Sequence, residues 1–420
     1  VILPTNEELL NEVTVSAIQR QSNTMDRVDI GTARLMPDAT GGSIESLLIT
    51  FAGVSQNNEM SSQYNVRGGS YDENSVYVNG LEVHRPLLIR SGQQEGLSFV
   101  NPDMVESVDF SAGGFDAKYS DKMSSVLDIR YKRPTRLESR INMSLLGASA
   151  YVGWGNDTQS QMHSIRYKTS RYLLGALETA GNYKPNFIDY QTQMTWNLGD
   201  EARRRKAWEI TLLGNFSQNS YEFVPDSVSS SFGTMQQALN KTIWYEGQEK
   251  DMFRTAFVAL SATHQLRKNI RLGFDLSGFY THEQETFDIS SEYVLSEKPA
   301  DGGSSNSTHG ETINGNVPSG SVLGTGKFHE HARNTLQAGM LTLAHKGEWK
   351  KGENTLQWGV SGQVEMINDR INEWEWRDSM GYSLPNLSQE MALYYALKGT
   401  SHMINGRVQA YAQDTYRWTT

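Results

Sequence analysis

The chain has 420 residues, more than a single hydrophobic core usually serves, with a net charge of −10 and no cysteine. The acidic balance argues against a nucleic-acid binder, which needs a basic face to neutralise phosphates, and the lack of cysteine rules out disulfides and thiolate metal sites. No apolar run approaches the ~20 residues of a membrane helix, yet a barrel strand shows lipid only every second side chain, so a membrane β-barrel stays open.

In chain order, the N-terminus begins at Val1 with no leader pattern, so a mature or cut chain is expected. Residues up to about Pro134 read as a small mixed domain. A helix is expected near Gly42–Ile49, where Ile44, Leu47 and Leu48 fall at i, i+3 and i+4. Gly53 would end it. Short strands follow around Gln63–Val66, Ser75–Val78, Ser107–Ser111 and Val126–Tyr131, and Asn79-Gly80 is a tight hairpin signal.

From about Arg140 the texture changes to long alternating segments. In Ile188–Leu198 one face carries Ile188, Tyr190, Thr192, Met194, Trp196 and Leu198, and the other carries Asp189, Gln191, Gln193, Thr195 and Asn197. Leu356–Met366 repeats the pattern, with Trp358, Val360 and Val364 set against Gln357, Ser361, Gln363 and Glu365. Similar runs occupy Trp208–Phe216, Arg254–Leu266, Ile270–Tyr280 and Leu336–Ala344. They reach the ~9–11 residues of a tilted membrane strand, against ~5–6 in soluble domains. Short links near Gly199–Arg205, Arg267–Asn269 and Gly347–Glu353 alternate with long ones near Glu222–Lys250, Asp288–Arg333 and Asn372–Met403. Short turns on one side and long loops on the other is the outer-membrane layout. A soluble two-sheet β protein also alternates, but strand and loop lengths favour the barrel.

Catalytic chemistry is thin, and no enzyme is expected. Gly-x-Ser-x-Gly and His-Glu-x-x-His are absent. Ser321–Lys327 is the nearest phosphate loop, but it starts with Ser321 instead of glycine and is followed by Phe328. His329-Glu330-His331 puts two imidazoles on one strand face, in what reads as a long polar loop, and two ligands do not make a metal site. Neither metal nor cofactor is expected. Trp374 and Trp376 would stack on a sugar ring or line a ligand pocket; the alternative is a strand end or an interfacial girdle.

Tyr64–Arg133 carries a further pattern: Arg67-Gly68, Val78-Asn79-Gly80-Leu81, Glu106, Tyr119-Ser120 and Ser124-Ser125-Val126-Leu127-Asp128-Ile129. It resembles the plug domain of TonB-dependent outer-membrane receptors, and the last motif looks like a branch familiar in Bacteroidota. Val408–Tyr416 resembles a mid-barrel strand of the same family, roughly the tenth of 22. The resemblance implies a mainly β fold: a small α+β plug (21–134) inside a large antiparallel transmembrane barrel. Residues 135–420 would supply the N-terminal part of that barrel, in a longer protein that continues past Thr420.

Near the start, Glu12, Val13, Thr14, Val15, Ser16 and Ala17 resemble a TonB box within a linker over residues 1–20. Such a peptide pairs as an added strand with the TonB protein, and Val13 and Val15 suit that role. The resemblance further implies Arg67 and Glu106 as a latch between plug and wall. It places His84, Arg85 and Arg90 near the outward apex, where their cations would meet a ligand or pack against the barrel. The implied function is energised import of an unknown extracellular solute (siderophore, cobalamin, glycan or peptide) across the outer membrane of a Gram-negative bacterium. TonB and its inner-membrane complex, outer-membrane lipids and a surface lipoprotein are the expected partners. Alternatives are an adaptor or surface-assembly subunit of the same fold, or a soluble β-rich binding module.

Overall fold

The computed structural model describes residues 25–28, 30, 43–56, 63–86, 97–119, 123–169, 171, 181–199, 208–233, 238–297, 322–378, 391–416 and 418. The first part builds a five-stranded sheet in the order β1-β6-β7-β4-β5: β1 Asp26–Val28, β6 Val105–Ser111, β7 Ser125–Tyr131, β4 Asn74–Val78 and β5 Leu81–Glu82. The central pair β4 and β7 is parallel. Both strands are buried almost throughout, as parallel pairs covered on both faces must be. A separate two-stranded ribbon joins β2 (Val54–Ser55) to β3 (Asn65–Val66).

The expected helix is present as one turn, Glu45–Leu48, and it buries Leu47 and Leu48 in the core. The expected hairpin is present too. Asn79 (φ 53°) and Gly80 (φ 75°) link β4 to β5; two successive positive φ values are what a two-residue turn needs to match strand twist. Arg67-Gly68 lies outside any strand. The pair follows β3 as a turn, and Arg67 N–H donates to Gly53 O at 2.8 Å.

The second part is a twelve-stranded antiparallel sheet. Ten strands follow one path: β8 Glu138–Ser144, β9 Gly147–Gly155, β10 Gln159–Lys168, β12 Asn186–Leu198, β13 Trp208–Pro225, β15 Ala238–Arg267, β16 Ile270–Glu297, β17 Val322–Lys351, β18 Asn354–Arg377 and β19 Ala392–Tyr416. Two short strands attach to it, β11 (Gly181–Tyr183) to β13 and β14 (Val228–Gly233) to β15. β15 and β17 run 30 residues each, far beyond a bilayer crossing. Much of what the sequence presents as long loops is therefore strand. Residues 288–297, 322–333 and 372–377 all continue the ladder.

The sheet curves around the first domain. On its first strand Arg140 pairs with Asp103 at 3.0 Å. On its last, Gln413 accepts from Ala117 N at 2.7 Å. One core runs through both parts. Val78, Leu127, Ile129 and Phe110 of the inner domain share a cluster with Met162, Leu213, Phe257 and Phe279 of the wall.

Candidate functional site

The wall turns its polar side chains inward. Along β12, Asp189, Gln191, Gln193 and Thr195 are all at most 3% exposed, while Ile188 and Tyr190 are above 40%. This inverts the apolar-in rule of soluble sheets. The inner domain explains why those polar groups can be buried. Its segment 97–103 and the end of β7 present unpaired backbone groups, which need partners once water is gone.

The wall supplies them. Arg166 donates to Val100 O at 2.9 Å and Ser98 O at 2.7 Å. Gln191 donates to Phe99 O and accepts from the Tyr131 hydroxyl. Gln193 donates to Lys132 O at 3.1 Å and accepts from Asn79 Nδ2 at 2.6 Å. Asn101 donates to Ser164 Oγ at 2.7 Å. Asp189 holds Arg166 through an ion pair, so the buried guanidinium is both neutralised and hydrogen-bonded.

At the far end from the short hairpins, Arg85 of the inner domain forms an ion pair with Glu283 of β16. Burial lowers the pKa of Arg85, against Tyr71 and Tyr221, but a guanidinium remains charged. His84 is half-buried beside it in sequence. Phe187, Tyr221, Phe253 and Leu97 form an apolar cluster of their own.

Glu283 faces the inner domain, so Glu285, two residues on, does as well. Asp251 lies directly across from Glu285. Asn334 bonds both Glu285 and Glu373. The inner surface above Arg85 is thus acidic, and Glu249, Asp251 and Glu285 bring carboxylate oxygens within 4.8 Å of one another. Farther out, Glu330 faces Glu375 across the ladder. Burial first, then Glu375, raises the Glu330 pKa.

Several expected site residues fall elsewhere. Glu12–Ala17 and Arg90 lie outside the described residues. Arg67 and Glu106 are exposed, and neither forms an ion pair among the described residues. Trp374 and Trp376 alternate with Glu373 and Glu375, so they face outward, away from Arg85 and the inner carboxylates. Trp374 stacks on His331 at 4.6 Å with an interplanar angle of 9°. His331 and Arg333 both bind Asp288. Sequence reasoning missed Arg166 altogether; its partner Asp189 was visible as the one carboxylate on the polar face of Ile188–Leu198.

Residues 20–125 match the family model of the TonB-dependent receptor plug domain. The large antiparallel sheet lies outside the matched residues, from Glu138 onward. The chain is similar to the siderophore receptor PirA from Pseudomonas aeruginosa, with 9% identity and a TM-score of 0.33 over 93% of this chain and 87% of that one. It is similar to the Serratia marcescens hemophore receptor HasR, with 8% identity and a TM-score of 0.40 over 94% and 61%. The ferric yersiniabactin uptake receptor FyuA from Yersinia pestis gives 10% identity and 0.36 over 93% and 61%. No curated protein matches the chain.

Proposed function

We propose that the protein is an outer-membrane receptor of a Gram-negative bacterium that binds an extracellular solute and imports it into the periplasm. The wall crosses the bilayer with the apolar face of β12–β18 toward lipid, and the plug closes the lumen. The solute enters the vestibule lined by His84, Arg85, Glu283 and the carboxylates above them. TonB pairs with Glu12–Ala17 as an added strand and pulls, and the plug rearranges to open a path. The energy comes from the inner membrane.

The observation that carries this reading is the inverted β12 with its polar face spent on plug backbone. A soluble module would place Ile188 and Tyr190 in its core. A surface-assembly role would keep the fold and dispense with uptake. The test is growth on a single scarce nutrient, with and without the gene, beside migration of the protein in SDS before and after boiling. Migration that shifts on boiling, because the folded barrel resists SDS until heated, and a nutrient-specific growth defect are expected. Migration indifferent to boiling would remove the membrane reading, and growth indifferent to the gene across siderophore, cobalamin, glycan and peptide sources would remove import.

A further inference from the structure

Beyond the Arg85–Glu283 pair, the inner face of β15–β18 is built in cross-strand rows. Asp251, Glu285 and Asn334 share one row, and Glu249, Phe287, Ala332 and Glu373 share the next. Farther out come Gly247, Ile289, Glu330 and Glu375, then Tyr245, Ser291, Phe328 and Arg377. Side chains alternate along a strand, so these residues share the side that Glu283 turns to the plug.

Twice in these rows a carboxylate stands directly opposite another: Asp251 against Glu285, and Glu330 against Glu375. Like charges in that relation destabilise a ladder. Asn334 softens the crowding, donating to Glu285 at 3.2 Å and to Glu373 at 2.5 Å. Among the described residues, the cations at this level do not balance the charge. Arg85 holds Glu283 and Arg377 holds Glu375, while Lys241 lies 5.1 Å from the centre of the Tyr293 ring. Glu249, Asp251, Glu285, Glu330 and Glu373 outweigh that lysine, and the wall is net negative.

Ser291 adds to this independently of charge. It is 5% exposed, and its hydroxyl has no hydrogen-bond partner among the described residues. A buried hydroxyl left so costs free energy, which a ligand N–H placed against its oxygen would recover. Its cross-strand neighbours are Tyr245 and Phe328, whose ring centroids lie 6.5 Å apart at 75°. Carboxylates, a hydroxyl and aromatic rings along one wall suit an organic cation. The carboxylates take its N–H groups in charge-assisted bonds, and the ring faces attract positive charge. A bare divalent ion would use the oxygens and leave the rings idle. An anionic solute would be repelled, because the Arg85 of the plug is already neutralised by Glu283.

We propose that the solute carries positively charged nitrogen groups, amines or guanidiniums, and docks them on Glu249, Asp251, Glu285, Glu330 and Glu373. Ser291 accepts one further N–H at the outer end. The inference rests on the import reading above and names the charge class of its solute.

The test uses the full-length protein in detergent and titrates it with hexa-arginine, hexa-lysine and hexa-glutamate, with calcium chloride as competitor. Two threefold variants run beside the wild type. Glu285→Gln, Glu330→Gln and Glu373→Gln remove inner charge; Glu222→Gln, Asp288→Asn and Glu292→Gln remove the same charge from the outer face. The wild type and the outer variant should prefer both cationic peptides over hexa-glutamate by about tenfold or more, and less so as salt rises from about 0.1 M to about 0.5 M. The inner variant should keep its shift on boiling and lose most of the preference. The single variant Glu330→Gln relieves one opposed pair without removing an ion-pair partner, so it should fold as the wild type does and lose part of the preference. An inner variant that keeps the preference, or an outer variant that loses it equally, overturns the inference. Displacement of the peptides by micromolar calcium overturns it too, since the wall would then be a metal site. Migration of the wild type that does not change on boiling contradicts the membrane reading, whereas a boiling-sensitive wild type with no preference for the cationic peptides contradicts the solute class alone.

Discussion

Arg166 on β10 and Asp189 on β12 stand directly opposite each other in the ladder and form a buried ion pair on the inner face of the wall. The same guanidinium reaches the carbonyls of Ser98 and Val100 in the plug. Wall and plug are therefore fastened by one side chain whose charge is balanced by the wall and whose remaining donors are satisfied by the plug.

Removing one partner of such a pair leaves an uncompensated buried charge. Arg166→Ala should lower stability by ~3–5 kcal/mol. It should also raise hydrogen exchange in residues 97–103, because two plug carbonyls lose their donor. Arg166→Met combined with Asp189→Leu should cost clearly less stability yet give the same local exchange. Thermal unfolding in detergent with exchange mass spectrometry checks both. Equal stability loss in the single and double variants would mean that the pair's burial is not what matters.

The facing of β18 gives a second test. Val360 is 52% exposed and points outward, while Ser361 beside it points to the lumen. Val360→Arg puts a cation near the middle of the apolar band and should cost ~2–4 kcal/mol and impair assembly. Ser361→Arg should assemble nearly as the wild type. Folding yield in lipid vesicles is the measurement, and the reverse order would invert the wall.

Asn79 serves two purposes that can be separated. Its φ of 53° makes the turn. Its side chain accepts from Tyr131 N at 3.0 Å and donates to Gln193 at 2.6 Å. Asn79→Gly keeps the backbone conformation and loses the side-chain bonds, at ~1–3 kcal/mol for the orphaned Tyr131 N–H. Asn79→Ala loses the bonds and adds ~1–2 kcal/mol of left-handed strain. Chemical denaturation should rank wild type, glycine, alanine in that order.

Glu330 predicts a pH dependence. Burial and Glu375 raise its pKa in the folded state, so the native protein binds that proton more tightly than the unfolded chain. The group's contribution to stability then falls as pH rises above the ordinary carboxylate value. Glu330→Gln should flatten the decline in melting temperature between about pH 4 and about pH 7. An unchanged slope would locate the dependence in other carboxylates.

The parts of the fold legible in the sequence were those with a two-residue period or a turn signal. Ile188–Leu198 and Leu356–Met366 both lie within the observed strands β12 and β18, and Asn79-Gly80 is the observed hairpin turn. Strand ends were not legible. Past the apolar band the outward face of β16 and β17 turns polar, with Thr286, Asp288, Ser290 and Glu292 on one strand and Lys327, His329, His331 and Arg333 on the other, so these stretches read as loop. The strand β19 begins at Ala392, well before Val408, where the sequence resemblance starts. The Arg166 anchor was hidden for a different reason. Its plug partners are backbone carbonyls, which leave no mark on side-chain identity. Trp374 and Trp376 drew notice as aromatics, but their side of the sheet depended on a register that the flanking residues do not announce.

The central claim is that this barrel is energised through Glu12–Ala17. Val15→Pro removes one ladder donor and fixes φ near −65°, which a paired strand cannot accommodate. Val15→Ala leaves the backbone free to pair. Uptake of the growth-supporting nutrient and its binding at the cell surface should be measured in the same cells for wild type and both variants. The account predicts normal binding in all three, near-normal uptake for Val15→Ala, and abolished uptake for Val15→Pro. Uptake at the wild-type rate with Val15→Pro would contradict it.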